Sequence, residues 1–105
     1  MKTKEELREI RERNYDAWFE RFVKKKDLVK QIELSNEKGY EGYVLNVDDY
    51  SDDRDKRMAM DPLFIEKLQI YLHDYKVSIN KGVIEGRLFG VKTKRYYYKI
   101  NISWA

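Results

Sequence analysis

Arg95-Tyr96-Tyr97-Tyr98-Lys99-Ile100-Asn101-Ile102-Ser103-Trp104 decides the fold. Side chains of a strand alternate between its two faces. The stretch sorts cleanly on that period, with Tyr96, Tyr98, Ile100, Ile102 and Trp104 inward and Tyr97, Lys99, Asn101 and Ser103 outward. A strand with one apolar face belongs to a sheet whose other face is wet, and something apolar must cover the dry side. Working back from this strand, residues 83–89 read as a second strand. Asn80-Lys81-Gly82 supplies a short hairpin loop whose glycine takes positive φ. Tyr75-Lys76-Val77-Ser78-Ile79 alternates as a third strand, and residues 40–48, with Tyr43, Leu45 and Val47 on one face, as a fourth.

The cover is helical. Asp61-Pro62 starts a helix, with a carboxylate at the N-cap and proline at the first helical position. Phe64, Ile65, Leu68, Tyr71, Leu72 and Tyr75 form its apolar face. Residues 4–37 contain no glycine or proline, and Leu7, Ile10, Trp18, Phe22, Val29 and Ile32 fall in one stripe at about 100° per residue. Lys24-Lys25-Lys26 interrupts that stripe. One long helix and two helices broken near Lys25 both fit, with Asp27 available to cap the second and Gly39 to stop it. The element order is α-β-α-β-β-β, an α+β domain with helices on one face of an antiparallel sheet.

The chain has 105 residues and one proline, with no glycine- or serine-rich linker, so residues 1–105 form a single domain. There is no cysteine and only one histidine. That composition excludes disulfides, thiolate zinc sites, iron–sulfur clusters and multi-histidine metal sites. No apolar run reaches the ~18 residues of a membrane span, and no signal-peptide block opens the chain. The expectation is a soluble, cytoplasmic protein that makes no membrane contact.

Charge is segregated. Residues 39–61 hold 3 bases and 7 acids, whereas residues 76–105 hold 7 bases and the single acid Glu85. The run Asp48-Asp49-Tyr50-Ser51-Asp52-Asp53-Arg54-Asp55-Lys56-Arg57 reads as an extended, mobile acidic loop. It fails as a calcium loop, because counting from Asp49 puts Arg54 where glycine is needed and Met60 where glutamate is needed. Glu85-Gly86-Arg87 approaches a nuclease Glu-x-Lys but lacks both the lysine and a second acid. His73 has no readable nucleophile or acid partner, and it reads as an exposed histidine at a helix end. No glycine-rich phosphate cradle is present. The chain therefore reads as a non-enzymatic protein with no catalytic residue, no metal ligand and no cofactor.

Two surfaces are left for binding. The first joins Asp48, Asp49, Asp52, Asp53 and Asp55, carboxylates that imitate phosphates towards a basic cleft, to Tyr15, Phe19 and Val23. Phe19 and Val23 lie roughly 100–160° from the main stripe of the first helix. An apolar second side offers docking on a larger protein, or a homodimer through the N-terminal helix. The second surface is basic and aromatic. Arg87, Lys92, Lys94, Arg95 and Lys99, interleaved with Phe89 and Tyr97, suit a phosphate backbone with a stacking ring beside it. Gly86-Arg87-Leu88-Phe89-Gly90-Val91 does not follow the RNA-recognition-motif pattern.

The charged N-terminal helix, the acidic loop, the α+β body of about a hundred residues and the ending Tyr96–Trp104 together resemble small accessory proteins of Gram-positive phages and mobile elements, some of which are anti-CRISPR proteins. That resemblance implies an inhibitor that blocks a host defence protein or nucleoprotein, either by occupying its nucleic-acid cleft or by locking its conformation. The expected function is such an inhibitor, with small nucleic-acid-binding protein as the alternative.

Overall fold

A computed structural model describes residues 1–105. Helix α1 spans Lys4–Lys26 and starts at Thr3, whose hydroxyl accepts from the Glu6 amide at 3.2 Å. Glu5 and Glu6 occupy the first turn and Lys24, Lys25 and Lys26 the last, each sign at the end of the helix dipole that favours it. The helix ends where Asp27 takes the left-handed conformation, φ 50 and ψ 50, and α2 (Leu28–Glu37) begins one residue later. The break thus falls at Asp27. Its carboxylate makes no capping hydrogen bond, contrary to the expectation, so the backbone alone turns the corner.

That corner resets the helical phase of α2 relative to α1. Tyr15, Trp18, Phe19, Phe22 and Val23 form the buried arc of α1, and Leu28 and Ile32 form that of α2. Leu7 and Val29, expected in one continuous stripe, are exposed.

Strand β1 (Gly42–Asn46) follows, then a 3₁₀ turn, Val47–Asp49. The acidic run is not an extended loop. Asp52 accepts from the Arg54 and Asp55 amides and caps a short helix, α3 (Asp53–Ala59). Asp61 accepts from the Leu63 amide at 3.0 Å and starts α4 (Pro62–Tyr71) as the Asp-Pro pair predicts.

The sheet has three antiparallel strands in the order β1-β3-β2. Strand β2 runs unbroken over Lys76–Leu88, and β3 over Val91–Ser103. The two expected strands at 75–79 and 83–89 are therefore one, and the expected turn at Asn80-Lys81-Gly82 lies inside it. The chain reverses at Phe89-Gly90 instead, where both φ values are positive, 51 and 79. A two-residue loop with this signature is a type I′ turn, whose twist matches the paired strands.

Leu45, Tyr98, Ile100 and Ile102 carry the sheet's dry face, closed by Trp18, Phe22, Phe64 and Leu68 from the helices. Edge-to-face rings cement the centre, with Phe22 and Phe64 5.5 Å apart at 88°. Helical cover reaches only the sheet's proximal half. From Val83 to Tyr96 every residue of the hairpin is exposed. The radius of gyration is 16.7 Å, against about 13 Å for a compact chain of this length. The excess is an arm.

Candidate nucleic-acid interface

The arm is a bare two-stranded ribbon, and its strand register sorts the side chains. Directly opposed residues in an antiparallel pair share a face. Glu85 pairs with Lys94 and Arg87 with Lys92, on the continuation of the core-facing side. Ile84 pairs with Arg95, Gly82 with Tyr97, Asn80 with Lys99 and Leu88 with Val91, on the opposite side. The sequence-predicted basic set is therefore split. Arg87, Lys92 and Lys94 lie on one face, and Arg95, Tyr97 and Lys99 on the other. Because the ribbon is only two strands wide, both sets still border the same narrow shaft.

Tyr97 is positioned by Gly82. A Cβ on Gly82 would come within 2.6 Å of the Tyr97 hydroxyl, so the ring lies across the bare backbone of its cross-strand neighbour. Lys99 Nζ stands 5.9 Å from the Tyr97 ring centroid. Tyr96 lies on the inward face as predicted, but beyond the helices, and remains 70% exposed. There it lines a hollow of about 270 Å³ with Val83, Met60 and Lys81.

The arm's root is fixed by Asp48. Strand β1 stops opposite Lys99, and the next amide on β3, that of Tyr98, donates to Asp48 Oδ2 at 2.9 Å. Asp48 thus substitutes for the missing strand. Asp48 and Asp49 share a cleft of about 540 Å³ with Arg95, Tyr97 and Lys99.

The other predicted surface is largely consumed inside the domain. Asp52 caps α3. Asp55 is buried and accepts from Trp18 Nε1 at 2.8 Å and from Lys25 Nζ at 2.7 Å. Burial alone would raise its pKa, but these two donors outweigh that and hold the carboxyl below the usual range. Only Asp49 and Asp53 stay exposed without such duties. Tyr15 is core: its hydroxyl donates to the Met58 carbonyl at 2.6 Å, and burial, aided by the Asp61 charge, pushes its pKa up. Phe19 and Val23 are each 8% exposed and floor a groove of about 410 Å³ between α1 and α4, edged by Ile70 and Tyr71. The spare apolar side expected on the first helix is therefore largely occupied by α4, whose Phe64 and Tyr71 pack edge-on against Phe19.

His73 is exposed beside Asp74, 3.4 Å away. No three His, Cys, Asp or Glu side chains are grouped to hold a metal ion, and no helix is long and apolar enough to cross a membrane.

Comparison with protein-family models, with curated protein sequences and with solved structures returned no match.

What the sequence did not reveal is where Phe89 lies. It stands at the tip of the arm, 97% exposed. The signal was the Phe-Gly pair, one residue removed from the Asn-Gly or Asp-Gly that marks such turns.

Proposed function

We propose that this protein binds nucleic acid through its arm, as a non-enzymatic module. One observation carries the reading: between Val83 and Tyr96, where the ribbon projects clear of the body, the four basic side chains Arg87, Lys92, Lys94 and Arg95 outnumber the single acid Glu85, with Lys81 and Lys99 at the root. Its bases make no ion pair within the protein, because every salt bridge belongs to the helical body or to the exposed His73-Asp74 pair. Unpaired cations on a slender ribbon suit contact with phosphates on either side, and a two-stranded ribbon fits the major groove of a duplex. The inhibitor reading drew on the acidic run and on Tyr15, Phe19 and Val23. Most of those side chains serve the domain's own caps and core, which leaves it the weaker of the two.

The test is a fluorescence-anisotropy titration of a labelled 20-base-pair DNA across salt concentrations. Four or five phosphate contacts give a slope of about −4 in log affinity against log salt. Changing Arg87, Lys92, Lys94 and Arg95 together to Glu abolishes binding. All four are exposed, so the circular dichroism spectrum should not change. Salt-independent binding, or full binding by the quadruple variant, contradicts the assignment.

A further inference from the structure

Phe89 bears two costs for which the domain offers no return. Its φ of +51 is a conformation that bulky L-residues rarely adopt, at a turn position where asparagine, aspartate or glycine fits without strain. Its ring is also 97% exposed, more than any other large hydrophobic side chain except that of Met1. Neighbouring Leu88 and Val91, paired across the last rung of the ladder, are 62% and 65% exposed. The arm therefore carries an apolar point, and Arg87 pairs with Lys92 on the rung behind it. From the Gly82-Tyr97 rung to the tip is six residues, about 20 Å of strand, longer than the roughly 8.5 Å depth of a major groove.

We infer that the arm enters a groove of double-stranded nucleic acid and that Phe89 wedges between adjacent base pairs there, partly unstacking them. This rests on the nucleic-acid reading above and narrows it to the duplex. The reasoning is one of fit. A strained, solvated aromatic point gains a dry environment between base pairs. The paired cations just behind it meet the phosphates that flank the opened step, and the slender shaft needs no widened channel. Apolar wedges, as in proteins seated in the minor groove, kink the duplex at the step they open.

The test uses a duplex carrying 2-aminopurine, whose fluorescence rises when it unstacks. The wild-type protein should raise that fluorescence on binding. Phe89→Asn installs Asn-Gly, a favoured type I′ pair, so the hairpin should be at least as stable and any loss reflects the missing ring. The expected result is loss of the fluorescence rise, together with about tenfold weaker duplex binding, the scale of one lost aromatic–base contact. Phe89→Trp should restore both. Wild-type binding without any fluorescence rise, or equal duplex affinity for Phe89→Asn, overturns the wedge while leaving nucleic-acid binding intact. A Phe89→Asn loss confined to the single strand overturns the duplex assignment. If wild-type protein binds no nucleic acid but sediments with phosphatidylserine vesicles in a Phe89-dependent manner, both readings fall.

Discussion

Asp55 shows how a charged residue is used inside so small a domain. It is the one buried charged side chain, and it holds Trp18 through Nε1 and Lys25 through Nζ. Removing it leaves a buried indole N–H without a partner, so Asp55→Ala should cost about 2–3 kcal/mol in urea unfolding. Because the folded pKa is depressed, the stabilisation is complete above the ordinary aspartate range and fades as pH falls through the folded value. Stability measured from pH 6 downward should therefore decline below about pH 4, and less steeply in Asp55→Asn. Tyr50 is the opposite case. Its hydroxyl is buried without a hydrogen-bond partner, and burial raises its pKa. Its ring meanwhile packs 5.6 Å from Phe22 and 4.5 Å from Lys26 Nζ. Tyr50→Phe keeps the ring and deletes the unsatisfied oxygen, so it should leave stability unchanged or raise it by up to about 1 kcal/mol. A clear loss would mean that the hydroxyl has a partner.

At the scale of elements, body and arm separate. Everything from Val83 to Tyr96 is exposed, whereas the core side chains of β3 begin at Tyr98. Replacing residues 83–96 by Asn-Gly joins the Gly82-Tyr97 rung with a favoured turn and removes no buried side chain. The shortened protein should melt within about 5 °C of the parent, a shift equivalent to about 1 kcal/mol in a domain this size. Its affinity for nucleic acid should vanish, and a collapse of the melting transition would show instead that the arm supports the core. The same division explains what the sequence disclosed. Alternation from Arg95 to Trp104 and the Asp61-Pro62 start are local signals, and both led to the right elements. The extent of the hairpin is not local. Gly82 looks like a turn residue until Tyr97 is known to lie across it, and Phe89 reads as the last residue of a strand until the pairing places it in the turn. Helix α3 was hidden because the carboxylates that suggest a solvated loop also serve as an N-cap and as a partner for Trp18 and Lys25. Tyr15, Phe19 and Val23 read as surplus because the stripe runs through Leu7 and Val29, which are exposed, whereas Phe64 and Tyr71 pack edge-on against Phe19.

Across the whole molecule, charge and shape run together. The extents are 54 × 40 × 21 Å, Arg87, Lys92, Lys94 and Arg95 line the arm, and Asp48 and Asp49 sit at its root beside Arg95 and Lys99. A polyanion approaching along the shaft meets rising positive potential at the far end and carboxylates near the body. The arm should therefore be engaged from its tip rather than laid flat along the sheet's back. Asp49 is the residue through which to test this, because it is exposed, lines the root cleft and has no part in a helix cap. Asp49→Asn removes one repulsive charge without disturbing a hydrogen bond. Duplex affinity should rise by about two- to threefold at 0.05 M salt, the size of a single partly screened charge contact. The gain should shrink to nothing at 0.5 M, where the screening length falls to about 4 Å. Asp53→Asn, whose carboxylate lines a different hollow with Lys56 and Arg57, should give a smaller gain. An Asp49→Asn effect that persists at high salt would indicate a direct contact with the ligand at the root, and the nucleic acid would then lie along the cleft instead of at the tip.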